Sequence, residues 1–343
     1  MVEMTQHEII RPSQLLDDDG RLAQVGWARQ PLLDCNLENA AFYRLRPLQR
    51  FRIKRWDYYG VTLPDLYFSA TIADLGYAGQ VFVYAVDFNA ATYHEETITI
   101  PLGRGIELPR NSDAGTSRFE GPRAALEFSS GGGRRAIHVE WANFAGRPLS
   151  ARLSFTEPPE STVIAIPIGD RRFYYNRKIN CMPAEGELTI GGEVRVVDPS
   201  TSSGNLDWGR GVWAYRSFWV WASASGFVDG IRRIGLNMGF GFGDTSAATE
   251  NTVLIDGRIH KLGKVDFEYD PSNFMRPWTM TSNRVDLEFI PFLDRSAATH
   301  LLLIDSGVHQ MFGRYAGTVT LDDGETVRID DLAGWAEEHH ARW

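Results

Sequence analysis

From Arg50 onward the apolar residues of this chain recur at every second position, and that period restricts the fold more than any other feature. Phe51-Arg-Ile-Lys-Arg-Trp56, Leu66-Tyr-Phe-Ser-Ala-Thr-Ile72, Gln80-Val-Phe-Val-Tyr-Ala-Val86 and Glu96-Thr-Ile-Thr-Ile100 are β-branched and aromatic runs. Gly, Pro, Asp and Asn divide them, which is the pattern of short half-buried strands. Similar runs follow at Ala124–Phe128, Ala136–Trp141, Leu149–Phe155 and Thr162–Pro167, and again at Ser217–Ser223, Ile231–Gly243 and Arg284–Ile290. Asp256-Gly257 and Asp323-Gly324 sit between alternating runs as hairpin turns. The spacing predicts an all-β chain of packed antiparallel sandwiches or up-and-down barrels. A short helix is expected near Leu37–Leu45, and Asp331–Trp343 reads as a C-terminal helix, with Ala333, Ala336 and Glu337 at compatible spacing.

The polar, proline-paired segment Thr156-Glu-Pro-Pro-Glu-Ser161 resists both helix and sheet and is the expected boundary between two units, residues 1–160 and 161–343. An internal echo fits two similar halves. Trp56 precedes Tyr67, and Trp208 precedes Trp219, by the same interval, each leading from a charged aromatic cluster into a ring-rich strand.

Composition narrows the function. At 343 residues, with 43% hydrophobic and 23% charged residues, the chain reads as an ordinary globular protein. The formal net charge of −9 and the lack of a basic stripe argue against nucleic acid as a partner. Cys35 and Cys181 stand far apart, so neither a disulfide framework nor a zinc spacing is expected. The opening residues lack a basic region followed by an apolar run, and no stretch approaches the roughly 18 apolar residues of a spanning helix. A cytoplasmic location is therefore expected. No Gly-x-Ser-x-Gly elbow occurs, and the Ser129-Ser-Gly-Gly-Gly133 turn is not followed by a helix start. No cofactor is expected, and the spacing of the histidines points to no local metal site.

The richest segment is Leu206-Asp-Trp-Gly-Arg-Gly-Val-Trp-Ala-Tyr-Arg216, followed by Ser217-Phe-Trp-Val-Trp-Ala222. Trp208, Trp213, Trp219 and Trp221 beside few charges suit the wall of an apolar cleft. In the glycine strand that follows, Asn237, Gly239, Gly241 and Gly243 share one face by period two. Indole rings packed over bare glycines and a ligand floor are both open readings. Among the ionisable residues, Asp207 beside Trp208 fits a proton donor in a dry pocket, whereas pairing with Arg210 would make it a structural ion pair. His309 and His260 are candidate second proton carriers. Trp208, Arg210, Trp213, Trp219, Trp221, Asn237, Tyr58 and Tyr59 are the candidate ligand contacts.

Several blocks carry a resemblance: Arg55-Trp-Asp-Tyr-Tyr59, Tyr174-Tyr-Asn-Arg-Lys178, Leu206-Asp-Trp-Gly-Arg-Gly-Val-Trp213, Gly241-Phe-Gly-Asp244, Ala248-Thr-Glu-Asn251 and His309-Gln-Met-Phe-Gly313. They resemble an uncharacterised family of bacterial and fungal proteins known as a domain of unknown function, over residues 20–343. More distantly, the polar-Trp-Gly element at Asp207-Trp208-Gly209 and the Trp219-Val-Trp221 strand are similar to carotenoid hydratases and tocopherol cyclases. That likeness implies two tandem lipocalin-like β-barrels with an apolar pocket in one of them, and the ring-rich segment places the expected pocket in the C-terminal one. It also implies cofactor-free acid/base chemistry on an isoprenoid- or lipid-like molecule: hydration, isomerisation or cyclisation. Arg210-Gly211 after the Trp-Gly pair departs from that pattern. The alternatives are a carrier of a hydrophobic ligand, or rings that fill a closed core.

Overall fold

In the computed structural model, which describes residues 6–301 and 304–342, the chain forms two large curled antiparallel sheets in tandem. The first follows the order Thr92–Pro101, Ala78–Asp87, Leu66–Asp74, Ile53–Thr62, Ser203–Val212, Arg172–Ile190, Arg147–Thr156, Arg134–Phe144, Ala124–Gly131 and Gly115–Glu120. Strands Gly26–Ala28, Thr162–Gly169 and Glu193–Val197 attach at its side. The second runs Arg258–Lys261, Thr252–Ile255, Arg232–Phe240, Arg216–Val228, Thr326–Arg342, Ile304–Thr320, Val285–Leu301, Trp278–Thr281 and Asp266–Glu268. The expectation of an all-β chain with two barrels in tandem is met, each barrel being a curled half-barrel sheet. The chain passes from one sheet to the other between Val212 and Arg216, and the Pro158-Pro159 segment joins two strands of the first sheet. The segment expected to be helical near residues 37–45 holds a short 3-10 turn at Leu37–Asn39, with a second at Arg46–Phe51.

Alternation explains this architecture. In Ile53–Thr62, Tyr59 and Val61 enter the core of the first half-barrel, whereas Trp56 and Tyr58 point to the opposite face. Val81, Val83 and Ala85 do the same against Phe82, Tyr84 and Val86. In the second sheet Val220, Ala222 and Ala224 fill the half-barrel, while Trp219 and Trp221 project away from it. The two outward ring faces meet and bury one another, giving a seam between the sheets that contains Tyr58, Tyr67, Tyr84, Trp221, Phe312 and Trp335. Each of these strands thus serves two apolar layers, one per face.

The C-terminal helix is a correction. Thr326–Arg342 is a strand, paired along its length with Arg216–Val228 and Ile304–Thr320. Ala333, Ala336 and Glu337 do have helical spacing, but the same residues also alternate. Leu332 and Ala336 enter the second half-barrel, and Trp335 enters the seam. Two long neighbouring strands with open ladders override the local preference. Gly334 permits the close approach, since a Cβ there would lie 2.4 Å from the Ser223 carbonyl oxygen.

The first half-barrel is filled partly by buried charge. Arg210 is fully buried, 2.9 Å from Asp57, and lies over the Trp208 ring. Arg135 and Arg177 share Glu157 at 2.6 and 2.7 Å. Removing one partner of such a pair strands the other charge in a poorly solvated site. Arg210→Ala is therefore expected to cost about 3–5 kcal/mol in urea unfolding, and Arg210→Met combined with Asp57→Leu to recover most of it. A double variant as unstable as Arg210→Ala would show that the pair is not the cause.

Candidate functional site

The block Asp207-Trp208-Gly209-Arg210-Gly211 lies in the Ser203–Val212 strand, where period two separates its members. Asp207, Gly209 and Gly211 face the seam, and Trp208 and Arg210 face the first half-barrel. The glycines have distinct tasks. A Cβ on Gly209 would lie 1.9 Å from the Trp56 indole, its cross-strand neighbour, so that ring takes the space of a side chain. A Cβ on Gly211 would lie 3.0 Å from Trp213 Nε1. On the strand at the other side, Lys178, Asn176 and Tyr174 stand opposite Asp207, Gly209 and Gly211.

Between the sheets these residues line a cavity of about 240 Å³. Its apolar wall is a set of mutually packed rings. Trp56 and Trp213 meet edge to face at 5.0 Å, Trp213 and Trp219 at 5.7 Å, and Tyr174 and Phe242 at 4.9 Å. Trp221 packs edge-on against Trp335 at 5.4 Å. Strands of both sheets bound the cavity, so the site expected in the C-terminal half draws much of its wall from Trp56, Tyr58, Phe82 and Tyr84. The lumen of neither half-barrel contributes.

Two polar clusters face this space. In one, Asp207 accepts a hydrogen bond from Asn176 Nδ2 at 2.6 Å, and Lys178 Nζ lies 3.6 Å from Asp207 and 3.4 Å from Glu250. Lys178 also sits 3.6 Å above the Trp221 ring, where the π face favours the ammonium. In the other, the Glu337 carboxylate receives Trp219 Nε1–H at 2.9 Å and Gln310 Nε2–H at 3.1 Å, and His339 Nδ1 is 3.8 Å away. Burial pushes the Glu337 carboxyl up, but His339, the Trp219 N–H and the Arg295 charge outweigh it and hold the group below the usual glutamate value. Gln310 is fixed in turn by Arg295 at 3.0 Å and by the Tyr84 hydroxyl at 3.1 Å. Tyr84 continues to Tyr58 at 2.7 Å and Tyr58 to Tyr67 at 2.5 Å. Burial raises all three phenols well above their usual range, so they remain neutral hydrogen-bonding groups. The Thr71 hydroxyl on the cavity wall is buried and has no hydrogen-bond partner among the described residues. Among the described residues no three His, Cys, Asp or Glu side chains converge as metal ligands.

The cavity brings together Asp207, Trp213, Trp219, Trp221 and Tyr58 of the expected contacts. Trp208, Arg210 and Tyr59 face the other way, into the half-barrel. Asp207 and Arg210 do not pair, because three residues of strand place them on opposite faces. Asn237 lies behind the wall, accepting from Trp221 Nε1 at 2.7 Å and donating to the Glu250 carbonyl at 2.7 Å. The bare Gly239 makes room for the Glu250 carboxylate, since a Cβ there would lie 2.7 Å from Glu250 Oε1. The expected indole-on-glycine contact is thus made by Trp56 on Gly209, not by Trp219 or Trp221 on the glycine strand. His309 pairs with Asp294 at 2.8 Å and packs on Phe274, and His260 lies beside Asp322 at 3.4 Å. Neither reaches the cavity, where the histidine is His339.

Sequence reasoning missed Lys178, Glu337, His339, Gln310 and Arg295. Lys178 carried a signal, being one of only four lysines in an arginine-rich chain, in the strand opposite the Asp207 block. Glu337 and His339 were hidden by the helical reading of their segment.

Tandem half-barrels with a ring-walled cavity in the seam define the class of this protein. The chain belongs to the family described as Domain of unknown function (DUF2804), whose pattern it matches over residues 6–343. Among curated proteins none matches it. Of solved structures, CghA is similar with a TM-score of 0.52 at 13% identity, covering 97% of both chains. CghA with Sch210972 gives 0.51 at 12% identity, again over 97% of both. An AttH protein of Nitrosomonas europaea gives 0.50 at 13% identity, over 84% of this chain and 92% of its own. Kievitone hydratase of Nectria haematococca gives 0.49 at 13% identity, over 84% and 88%. The CghA and AttH likenesses bear on the fold alone. Among the described residues no helix is long and apolar enough to cross a membrane.

The held-down Glu337 carboxyl links stability to pH. A carboxyl whose folded value is lowered contributes stability that is fully present above its unfolded value, near 4.5, and is lost as pH falls through the lower folded value. The advantage of wild type over Glu337→Gln in unfolding free energy is expected to be constant above about pH 5.5 and to shrink steadily below the unfolded value. An advantage that grows on acidification would contradict this assignment.

Proposed function

We propose that the protein binds an apolar, isoprenoid- or lipid-like molecule in the seam cavity and carries out cofactor-free acid/base chemistry on it, such as hydration, isomerisation or cyclisation. The observation that carries this reading is one ring-walled cavity that two separate acid–base clusters face, Asp207–Lys178–Glu250 and Glu337–His339. Proton transfer to a carbon–carbon double bond leaves a cation, which ring faces steady by their quadrupoles. Asp207 carries the proton-exchanging carboxyl at one cluster, in contact with Lys178. Glu337, held as a carboxylate, takes the proton that leaves when the cation collapses, with His339 beside it. Trp56, Trp213, Trp219 and Trp221 wall the reacting chain from water. That CghA, of the same fold, holds Sch210972 supports an organic small molecule as the ligand class. The buried free thiols Cys35 and Cys181 agree with a reducing, cytoplasmic setting.

A second reading is a carrier that returns its ligand unchanged. Its support is that Asp207 and Glu337 already have protein partners. Ligand fate separates the two. The protein is incubated with a panel of acyclic isoprenoid alcohols and alkenes, extracted, and analysed by chromatography with mass spectrometry. The enzyme reading predicts a hydrated or isomeric product whose rate falls about a hundredfold or more in Asp207→Asn and in Glu337→Gln. Quenched tryptophan fluorescence with unchanged compound would establish the carrier. Neither quenching nor product across the panel would remove both.

A further inference from the structure

We propose that the loop Ala41–Arg52 is a docking surface for an anionic lipid bilayer, set beside the seam cavity. The chain as a whole carries a net charge of −9, yet no Asp or Glu occurs from Ala40 through Trp56, while Arg44, Arg46, Arg50, Arg52, Lys54 and Arg55 all do. Three of these cations are engaged inward. Arg52 donates to the Trp213 carbonyl at 2.7 Å, Lys54 is buried and donates to the Leu75 carbonyl at 2.7 Å, and Arg55 pairs with Asp74 at 2.5 Å. Arg44, Arg46 and Arg50 are exposed and form no ion pair with a described residue. Between them Leu45 is 66% exposed, Leu48 40% and Tyr43 38%. Large apolar side chains held in water among arginines that have no carboxylate partner form the combination that inserts at a headgroup boundary while the cations meet lipid phosphates.

The loop is built to hold this shape. Gln49 is buried, and its amide bridges the Tyr43 backbone, accepting from the N–H at 2.9 Å and donating to the carbonyl. That clasp turns Tyr43–Leu48 outward. The loop also abuts the cavity wall. A Cβ on Gly76 would lie 2.1 Å from the Arg50 carbonyl oxygen, and the adjoining Leu75 lines the cavity, as does Trp213, whose carbonyl Arg52 grips. An apolar ligand dissolved in a bilayer would meet the protein at the loop that packs on two of its cavity residues. The lipid contact stands on the loop alone, and its test uses no isoprenoid.

The test is co-sedimentation of the full chain with vesicles of phosphatidylcholine mixed with phosphatidylglycerol, against vesicles of phosphatidylcholine alone. The expected result is binding to the mixed vesicles, much weaker binding to the neutral ones, and a loss of about a hundredfold in Arg44→Gln/Arg46→Gln/Arg50→Gln. Leu45→Ser/Leu48→Ser, which leaves the charges in place, is expected to lower binding to the mixed vesicles as well. The wild-type fold is checked in each variant by its tryptophan emission. Wild type left in the supernatant, or a triple variant that binds as well as wild type, overturns the proposal. So does equally tight binding to heparin without lipid, which would mark a soluble polyanion or an acidic macromolecule as the partner.

Discussion

The strands that border the seam must bury apolar surface on both of their faces. A strand presents alternate residues to opposite sides, so the chain can satisfy this only by supplying two interleaved sets of large side chains. Val81, Val83 and Ala85 meet the first requirement and Phe82, Tyr84 and Val86 the second. In the other sheet Val220 and Ala222 alternate with Trp219 and Trp221. In these strands the inner residues are aliphatic, whereas the outer ones are mostly rings. Rings packed edge to face across a seam leave gaps that aliphatic side chains would fill, and the cavity lies there.

Charge inside such a seam is stable only when it is held by partners. Removed from water, a carboxylate must find donors, and both cavity clusters provide them: Asn176 and Lys178 for Asp207, and Trp219, Gln310 and His339 for Glu337. The indoles therefore have two roles. The Trp219 ring forms wall while its N–H fixes Glu337, and the Trp221 ring supports Lys178 while its N–H is anchored on Asn237. The bare glycines of the Asp207 block are the counterpart of these large groups. Gly209 yields its side-chain volume to Trp56, so that Asp207 and the ring share one sheet face without crowding.

The all-β tandem fold was legible because its signal, alternation bounded by turn residues, is local and repeated many times. The site was legible in part. Asp207, Trp213, Trp219 and Trp221 were found through the density of rings around one acid, and all four line the cavity. Trp208 and Arg210 came with them by proximity in sequence, although period two assigns them to the opposite face, where the interior of the half-barrel takes them. Glu337 and His339 were not legible, because Ala333, Ala336 and Glu337 fit helical spacing and only the strands flanking them decide otherwise. His309 and His260 were chosen by residue type, and type does not reveal that Asp294 and Asp322 hold them away from the seam.

Indole N–H resonances test the central claim most directly, because tryptophans occupy both the seam and the closed cores. The account predicts that titration with an acyclic isoprenoid alcohol shifts the side-chain N–H signals of Trp56, Trp213, Trp219 and Trp221 together. Those of Trp141, Trp208 and Trp278, which are packed inside the half-barrels, would hold still. Shifts confined to the second group would place the ligand within a barrel and contradict the seam as the site.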